Sequence, residues 1–200
     1  MKALTESEYL IDAEPALRRV FLNDNPLLPV FGEAVERRKV LYEYRVPDAQ
    51  ITPVVVQVAS ELGDDGFFFS NLMRTSDPVN ANHWWIPFDE VSIFLSCNTD
   101  VFNFAYQLEN VVYSPSGQWG LMWTFENLGV LAGTGSYIDR VCQIIPSIEE
   151  QLKNYLNSIK EGKDTWGIEN INITWLPSFL EHMFGTEVAI RMLEEAHLTD

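Results

Sequence analysis

Apolar residues recur along this chain at two different spacings, and the change between them predicts where helices give way to strands. Residues 5–21 begin with the capping box of Thr5 and Glu8 and then carry their apolar side chains on one helical face. Pro15 lies inside this pattern and predicts a kink or a restart of the helix. Short apolar runs at 67–69 and 119–123 lie between glycine-containing turns, which is typical of buried strands.

The remaining elements follow from the same reasoning. Apolar and charged residues predict an exposed amphipathic helix at 32–44, which holds the densest basic cluster of the chain. Pro53 suits the first turn of a helix, although the β-branched residues after it also allow a strand. Residues 101–112 fit both periods, and we favour a helix there. The other predicted elements are a strand at 83–87, helical turns at 89–95, a hairpin arm at 129–133 and a helix starting at 135–136.

The predicted strands cluster in the middle of the chain, with helices before and after them. This order favours an α+β fold with a small, mainly antiparallel sheet. The length of 200 residues suits one domain, with an N-terminal helical part at 1–48, a sheet-containing core at 49–135 and C-terminal helices at 136–200.

Charge narrows the classes of partner. The chain has 13 basic and 29 acidic residues, a net charge of −16 and a sequence pI near 4.4. Such a molecule repels nucleic acids and anionic membranes and attracts basic proteins. The alternative is that the acidity only keeps the protein in solution.

One segment combines this acidity with aromatic residues. From 75 to 139 there are 65 residues without a single Lys or Arg, and 12 of the 25 aromatic residues of the chain lie there. We expect the segment to form the core and to present an anionic face to a basic protein partner. The residues predicted to bind that partner are two aromatic anchors and four acids: Trp84, Trp85, Asp89, Glu90, Glu126 and Asp139.

Candidate catalytic groups are few. His83 with Cys97 or Ser116 could serve a small hydrolase or transferase, but a histidine beside two tryptophans is more often a packed, hydrogen-bonded residue. Cys142 lies on the apolar face of a predicted helix, as an inert thiol does. No sequence motif indicates a metal or a cofactor, so we expect none.

A glycine-rich loop offers one further possibility. Residues 133–136, Gly-Thr-Gly-Ser, follow a predicted strand and precede a predicted helix, where phosphate-binding loops lie. The loop lacks the complete nucleotide-binding patterns, and a tight turn explains its glycines equally well.

The location follows from what the sequence lacks. The first residues have no basic region followed by an apolar run, and no apolar stretch approaches the ~18 residues of a membrane span. The two cysteines have no CxxC spacing and are expected to be reduced thiols. These features predict a cytoplasmic protein.

Three turn-and-aromatic motifs carry a resemblance to a known class of proteins. They are the runs at 63–69 (Gly-Asp-Asp-Gly-Phe-Phe-Phe), 85–88 (Trp-Ile-Pro-Phe) and 113–120 (Tyr-Ser-Pro-Ser-Gly-Gln-Trp-Gly). Together they resemble uncharacterised bacterial immunity-type proteins of polymorphic toxin systems, over roughly residues 50–160. The resemblance implies an α+β cytosolic binder that covers the active site of a cognate toxin, and it carries over no binding residues.

Three hypotheses about function remain. The leading one is a non-enzymatic, acidic protein-binding module, most concretely a toxin-neutralising immunity protein. The second is the small enzyme that uses His83. The third is a scaffold or oligomerisation domain, which exposed apolar stripes on the predicted helices at 32–44 and 178–196 would favour.

Overall fold

A seven-stranded antiparallel sheet forms the centre of the molecule. The structure, a computed structural model, describes residues 1–43, 48–72, 81–96, 109–167 and 170–198. Within these ranges the strands lie side by side in the order β1-β4-β3-β5-β6-β7-β2. Their bounds are β1 Lys2–Ala3, β2 Arg37–Tyr42, β3 Gly66–Asn71, β4 His83–Pro87, β5 Asn110–Tyr113, β6 Trp119–Trp123 and β7 Leu128–Gly133.

Helices precede, interrupt and follow these strands. In chain order they are α1 Glu6–Glu8, a π-helical turn Tyr9–Ala13, α2 Glu14–Val20, α3 Ile51–Glu61, a 3-10 turn Phe88–Glu90, α4 Val91–Ser96, α5 Gly135–Ile144, a 3-10 turn Pro146–Glu150, α6 Gln151–Trp166, α7 Leu176–Phe184 and α8 Thr186–Glu195. The predicted α+β fold class, with a mainly antiparallel sheet, is confirmed.

The sheet is buried on both faces. On β3, Phe68 enters one core while its neighbours Phe67 and Phe69 enter the other. The first core is completed by the helices α2, α6, α7 and α8, and the second by α3, α4 and α5. Because successive side chains of a strand point to opposite faces, a strand covered on both sides must be apolar throughout. That explains the unbroken aromatic runs in the sequence.

The first helical region is confirmed. The hydroxyl of Thr5 accepts a hydrogen bond from the backbone N–H of Glu8 (3.2 Å), and the Glu8 carboxylate accepts one from the N–H of Thr5 (2.8 Å). Pro15 lies in the first turn of α2, directly after the π-helical turn, so the helix restarts there. Pro53 likewise lies in the first turn of α3, which confirms a helix rather than a strand.

The helix predicted at 32–44 is wrong, since β2 occupies Arg37–Tyr42. Val40 enters the first core and Leu41 the second, at 2% and 0% exposure. Adjacent buried residues on opposite faces belong to a strand, whereas on a helix they would lie about 100° apart on one side. The charged neighbours concealed this pattern because they lie at an edge of the sheet.

The helix favoured at 101–112 is also wrong over its last residues, which belong to a strand. Residues Asn110–Tyr113 form β5, the central strand of the sheet. Residues 101–108 lie outside the described residues. Val111 and Val112 enter opposite cores, which is the same signature of a strand covered on both faces.

The N-terminal part is more than helical. Its strands β1 and β2 form the two opposite edges of the sheet. β1 pairs with β4, and β2 pairs with β7. The predicted boundary at residue 48 therefore does not separate a helical region from the sheet.

Candidate functional site

Asp89 and Glu90 lie in the 3-10 turn that follows β4. Asp89 is exposed, whereas Glu90 is half-buried. The carboxylate of Glu90 forms an ion pair with the amino group of Met1, next to β1. Glu90 therefore holds the start of the chain against the sheet, and Asp89 is the freer of the two acids.

Glu126 lies in the turn between β6 and β7 and is exposed. Nearby, Glu109 accepts a hydrogen bond from the backbone N–H of Phe125 (3.4 Å). Burial raises the pKa of the Glu109 carboxyl, and the negative charge of Glu126 raises it further. Phe125 itself is 51% exposed, so an aromatic ring lies beside this pair of acids.

Asp139 is exposed on α5 but has a cationic neighbour. The Nε of Arg37, on β2, lies 2.9 Å from its carboxylate. Arg37 comes from outside the segment that lacks Lys and Arg. Folding thus returns a positive charge to a segment that is purely acidic in sequence.

The four acids do not meet on one surface. β4 and β7 are separated by three strands, which places the elements carrying Asp89 and Asp139 about 19 Å apart across the sheet. Glu126 lies at the opposite end of the strands, because β6 ends at Trp123 beside the start of β5. A partner touching all four acids would have to wrap around the molecule.

The two predicted aromatic anchors have different environments. Trp84 is 3% exposed and packs in the second core against Phe69. Trp85 points to the other face and is half-buried beside Phe68, with ring centroids 5.1 Å apart. A Cβ at Gly66 would lie 2.4 Å from the Trp85 ring, so that ring lies directly over the glycine. Trp85 alone remains available as an anchor.

His83 belongs to a buried polar cluster that the sequence did not indicate. Its Nδ1 lies 2.8 Å from Ser70 Oγ, which lies 3.1 Å from the hydroxyl of Tyr113. The ring of Tyr9 stacks on the imidazole at 3.6 Å, and the Glu6 carboxylate lies 3.9 Å from Nε2. The sequence does contain a signal for this contact. Ser70 and His83 are polar residues that each lie next to an aromatic run, so they face each other when β3 pairs with β4.

This cluster is enclosed. Ser70 and His83 are each 2% exposed and Tyr113 is 0% exposed. Burial also raises the pKa of Tyr113, which keeps its hydroxyl protonated. The three side chains are therefore packed and hydrogen-bonded to one another inside the folded protein.

Ser116 lies far from His83. The chain places it in the turn between β5 and β6, where its hydroxyl donates to Asp64 (3.0 Å) and contacts Ser114 (2.6 Å). Trp119 Nε1 donates to the same Asp64 carboxylate (3.0 Å), so these contacts fix the turn against the loop before β3. Cys97, the other proposed partner of His83, lies outside the described residues.

The remaining thiol and the glycine-rich loop both have structural explanations. Burial raises the pKa of Cys142 to about 11, so it stays a neutral thiol at pH 7. In the loop, Thr134 caps α5, and the N–H of Gly135 donates to the carboxylate of Glu36 (2.7 Å). The chain's own carboxylate thus occupies the anion-binding position at this helix N-terminus.

The described part of the chain contains no group of three or more His, Cys, Asp or Glu side chains placed to hold a metal ion. Nor does any of its helices have the length and apolar character needed to cross a bilayer.

Comparisons with known proteins give no guide to the site. No protein-family model, no curated protein and no solved structure matches this chain. The resemblance to immunity-type proteins therefore stays a prediction.

Proposed function

We propose that this protein acts by binding a basic protein partner rather than by catalysis, and that the partner is a toxin which it neutralises. The proposal rests on charge, on the enclosed position of the His83 cluster and on the turn motifs that resemble immunity-type proteins. It does not depend on any one of the predicted contact residues.

The observation that carries the proposal is how the Lys and Arg side chains of this protein contact its own surface. Many Lys and Arg side chains are held against the protein surface: Lys2, Arg18, Arg37, Lys39 and Arg140 contact carboxylates, and Arg19, Arg38 and Lys163 donate to backbone carbonyls. Nearby carboxylates thus offset five of these charges, and with a net charge of −16 the excess of acids determines the field that an approaching protein meets.

Asp89 and Glu126 best represent that excess among the predicted residues. Both are exposed, and no Lys or Arg side chain in the described ranges lies within ion-pair distance of either. Each is therefore available to a cation on another molecule. A toxin that acts on nucleic acid has a basic groove, which an acidic inhibitor would fill in place of the anionic substrate.

Co-expression tests this proposal most directly. The protein would be produced together with the product of the gene beside it, with cell growth and co-purification as readouts. We expect relief of toxicity and recovery of a complex. If the neighbouring product is harmless alone, or if the two proteins neither associate nor restore growth, the proposed function fails.

The recovered complex then allows a test of the charges. The association rate should fall steeply as salt rises, because the Debye length shrinks from about 30 Å at 0.01 M to about 8 Å at 0.15 M. The dissociation rate should change less, since short-range packing determines it. An association rate independent of salt would remove electrostatic attraction from the account.

Single charge reversals locate the surface involved. Asp89→Lys and Glu126→Lys change two separated acids, and Glu33→Lys makes the same change in an exposed loop. At low salt the variant at the binding surface should slow association more than Glu33→Lys. Equal slowing by all three variants would assign the effect to net charge and reject these two residues as contacts.

The scaffold hypothesis has less support. Its first predicted helix is the strand β2, and α7 and α8 bury Phe179, Met183 and Leu193 in the first core. Ile190 is exposed on α8, at 51%. One exposed isoleucine does not form an apolar stripe.

A further inference from the structure

The outer edge of β2 has backbone groups that the described residues leave unpaired. β2 lies at the end of the strand order and pairs only with β7. The N–H of Glu43 donates to Asn127 (2.9 Å), and the N–H of Tyr42 donates outwards to the side chain of Gln151 (3.1 Å). Because backbone direction alternates along a strand, Lys39 and Leu41 face β7 whereas Arg38 and Val40 face outwards.

The outward groups of Val40 are enclosed rather than open to bulk water, and those of the half-buried Arg38 lie next to them along the strand. Val40 is only 2% exposed. In the described part of the chain, the N–H of Tyr42 has a partner in Gln151, but no hydrogen bond reaches the outward N–H or C=O of Arg38 or Val40. Buried backbone groups are nearly always paired, so the N–H and C=O of Val40, with those of Arg38 beside them, are positions for a ligand.

A recess runs along this edge. A cavity of about 190 Å³ lies beside Val40, between Leu152 near the start of α6 and the pair Phe184 and Met192 on α7 and α8. It adjoins a hollow of about 320 Å³ between α6 and α8, through the shared residues Leu152 and Met192. At the other end it adjoins a depression of about 510 Å³ through Arg38 and Phe184. Apolar walls therefore flank the vacant backbone positions on both sides.

The acidic and basic side chains that line the recess balance each other. The basic residues of β2 are occupied: Arg37 by Asp139, Lys39 by Glu149, and Arg38 by the last carbonyls of α7, His182 and Met183 (3.0 Å each). Glu36 and Glu181 line the depression together with Arg37 and Arg38, and Glu195 lines the hollow together with Lys153. A ligand that fits therefore needs apolar side chains in its middle and no particular net charge.

We propose that this recess binds an extended peptide segment of another protein, which adds to the sheet as an eighth strand beside β2. Donors and acceptors two residues apart along an edge match an extended polypeptide backbone. Alternate apolar side chains of the segment enter the cavity and the hollow. This proposal concerns a different surface from Asp89 and Glu126, and it does not depend on toxin neutralisation.

A second copy of this chain fits the recess less well. The walls from α6 on one side and from α7 and α8 on the other flank the edge of β2. Two whole domains would bring these helices together before their β2 strands reached the spacing of about 4.8 Å. A single strand carries no such walls and can enter.

The test uses synthetic peptides and the full chain. Each peptide is acetylated and amidated, has about seven residues, alternates threonine with Val, Ile, Leu, Phe or Tyr, and has a lysine at each end. Binding is followed by fluorescence anisotropy and by amide hydrogen exchange in NMR spectra. We expect the amides of Arg38 and Val40 to become protected, while those of Lys39 and Leu41 are protected beforehand by β7.

Backbone methylation of the peptide gives the sharpest control. N-methyl groups on one set of alternate residues block the hydrogen bonds to β2, and those on the other set face away from it. One methylated form should bind at least tenfold more weakly than the parent peptide, and the other should bind nearly as well. Equal affinities for the two forms would exclude strand pairing.

Protein variants test the walls. Met192→Arg should block the recess and weaken binding at least tenfold, whereas Ile190→Arg, on the exposed side of the same helix, should leave it unchanged. Failure of every peptide in the set to bind at on the order of 1 mM overturns the proposal. Protection of Arg38 and Val40 that rises with protein concentration alone would overturn it in favour of self-association.

Discussion

The two edges of the sheet, β1 and β2, are protected from unwanted strand pairing in different ways. β1 has two residues, Lys2 and Ala3, both exposed, and a lysine at such an edge discourages a further strand. β2 has six residues, two of them buried in opposite cores, and helices flank its open side. The short edge depends on length and charge, and the long edge depends on neighbouring helices. An edge protected by helices can admit a selected strand, which the short edge cannot.

The largest expected difference between the edges concerns the core. Leu41→Ala on β2 should lower the free energy of unfolding by about 2–5 kcal/mol, because it leaves a cavity at a position with 0% exposure. Denaturant unfolding followed by tryptophan fluorescence measures this. Leu62→Ala, at 39% exposure, is the matched control, for which we expect about 0.5 kcal/mol or less. A loss below about 1 kcal/mol at Leu41 would show that β2 is a loosely attached edge.

The polar cluster beside β1 should matter somewhat less. Ser70→Ala removes the hydroxyl between His83 and Tyr113 and should cost about 1–3 kcal/mol, since buried polar atoms then lose their partner. Thermal and denaturant unfolding provide the measurement. Ser96→Ala removes an exposed hydroxyl and should stay within about 0.5 kcal/mol. Equal effects of the two variants would contradict a bracing role for the cluster.

A third variant tests how β2 holds its flanking helices. Arg38→Met removes two hydrogen bonds to the last carbonyls of α7 and the stacking of the guanidinium on Phe31, 4.5 Å from the ring centroid. We expect a loss of about 1–2 kcal/mol in unfolding experiments. Lys39→Met, which breaks the exposed pair with Glu149, should cost about 0–1 kcal/mol. A larger loss at Lys39 than at Arg38 would reverse this assignment.

The smallest effect is expected at Glu8, near β1. Hydrogen bonds from Lys2 and Thr5 lower the pKa of this carboxyl to about 2. The unfolded value is about 4.3. The stabilisation is therefore complete above about pH 4.3 and is lost as the pH falls towards about 2. An NMR titration of Glu8 checks the value, and Lys2→Met should raise it. A Glu8 pKa near 4.3 in the unchanged protein would show that the Lys2 contact does not persist in solution.

An element could be predicted from the sequence when the interactions that determine it lie close together in the chain. The capping box of Thr5 and Glu8, Pro15 and Pro53 were correctly interpreted because caps and prolines act within one helical turn. β2 and β5 were missed because a strand covered on both faces has no alternation of apolar and polar residues. Their identity depends on helices elsewhere in the chain.

The candidate site was harder to predict for the same reason. Asp139 looked free because its partner, Arg37, lies about a hundred residues earlier in the chain. His83 was recognised as a packed histidine, but Ser70 and Tyr9 join it only through strand pairing and the position of the first helices. Charge composition is visible in a sequence, whereas the compensation of individual charges requires the fold.

The pairing of β1 and β2 also sets an order of events during synthesis. Both strands are made within the first 42 residues, yet Lys2 pairs with Trp85 and Arg37 pairs with Gly133. The nascent chain therefore carries two strands without partners until the middle of the sheet has left the ribosome. Closure of such long loops slows folding. A chain arrested before residue 128 would keep Val40 and Leu41 exposed, and we expect such chains to need chaperones until β7 is complete.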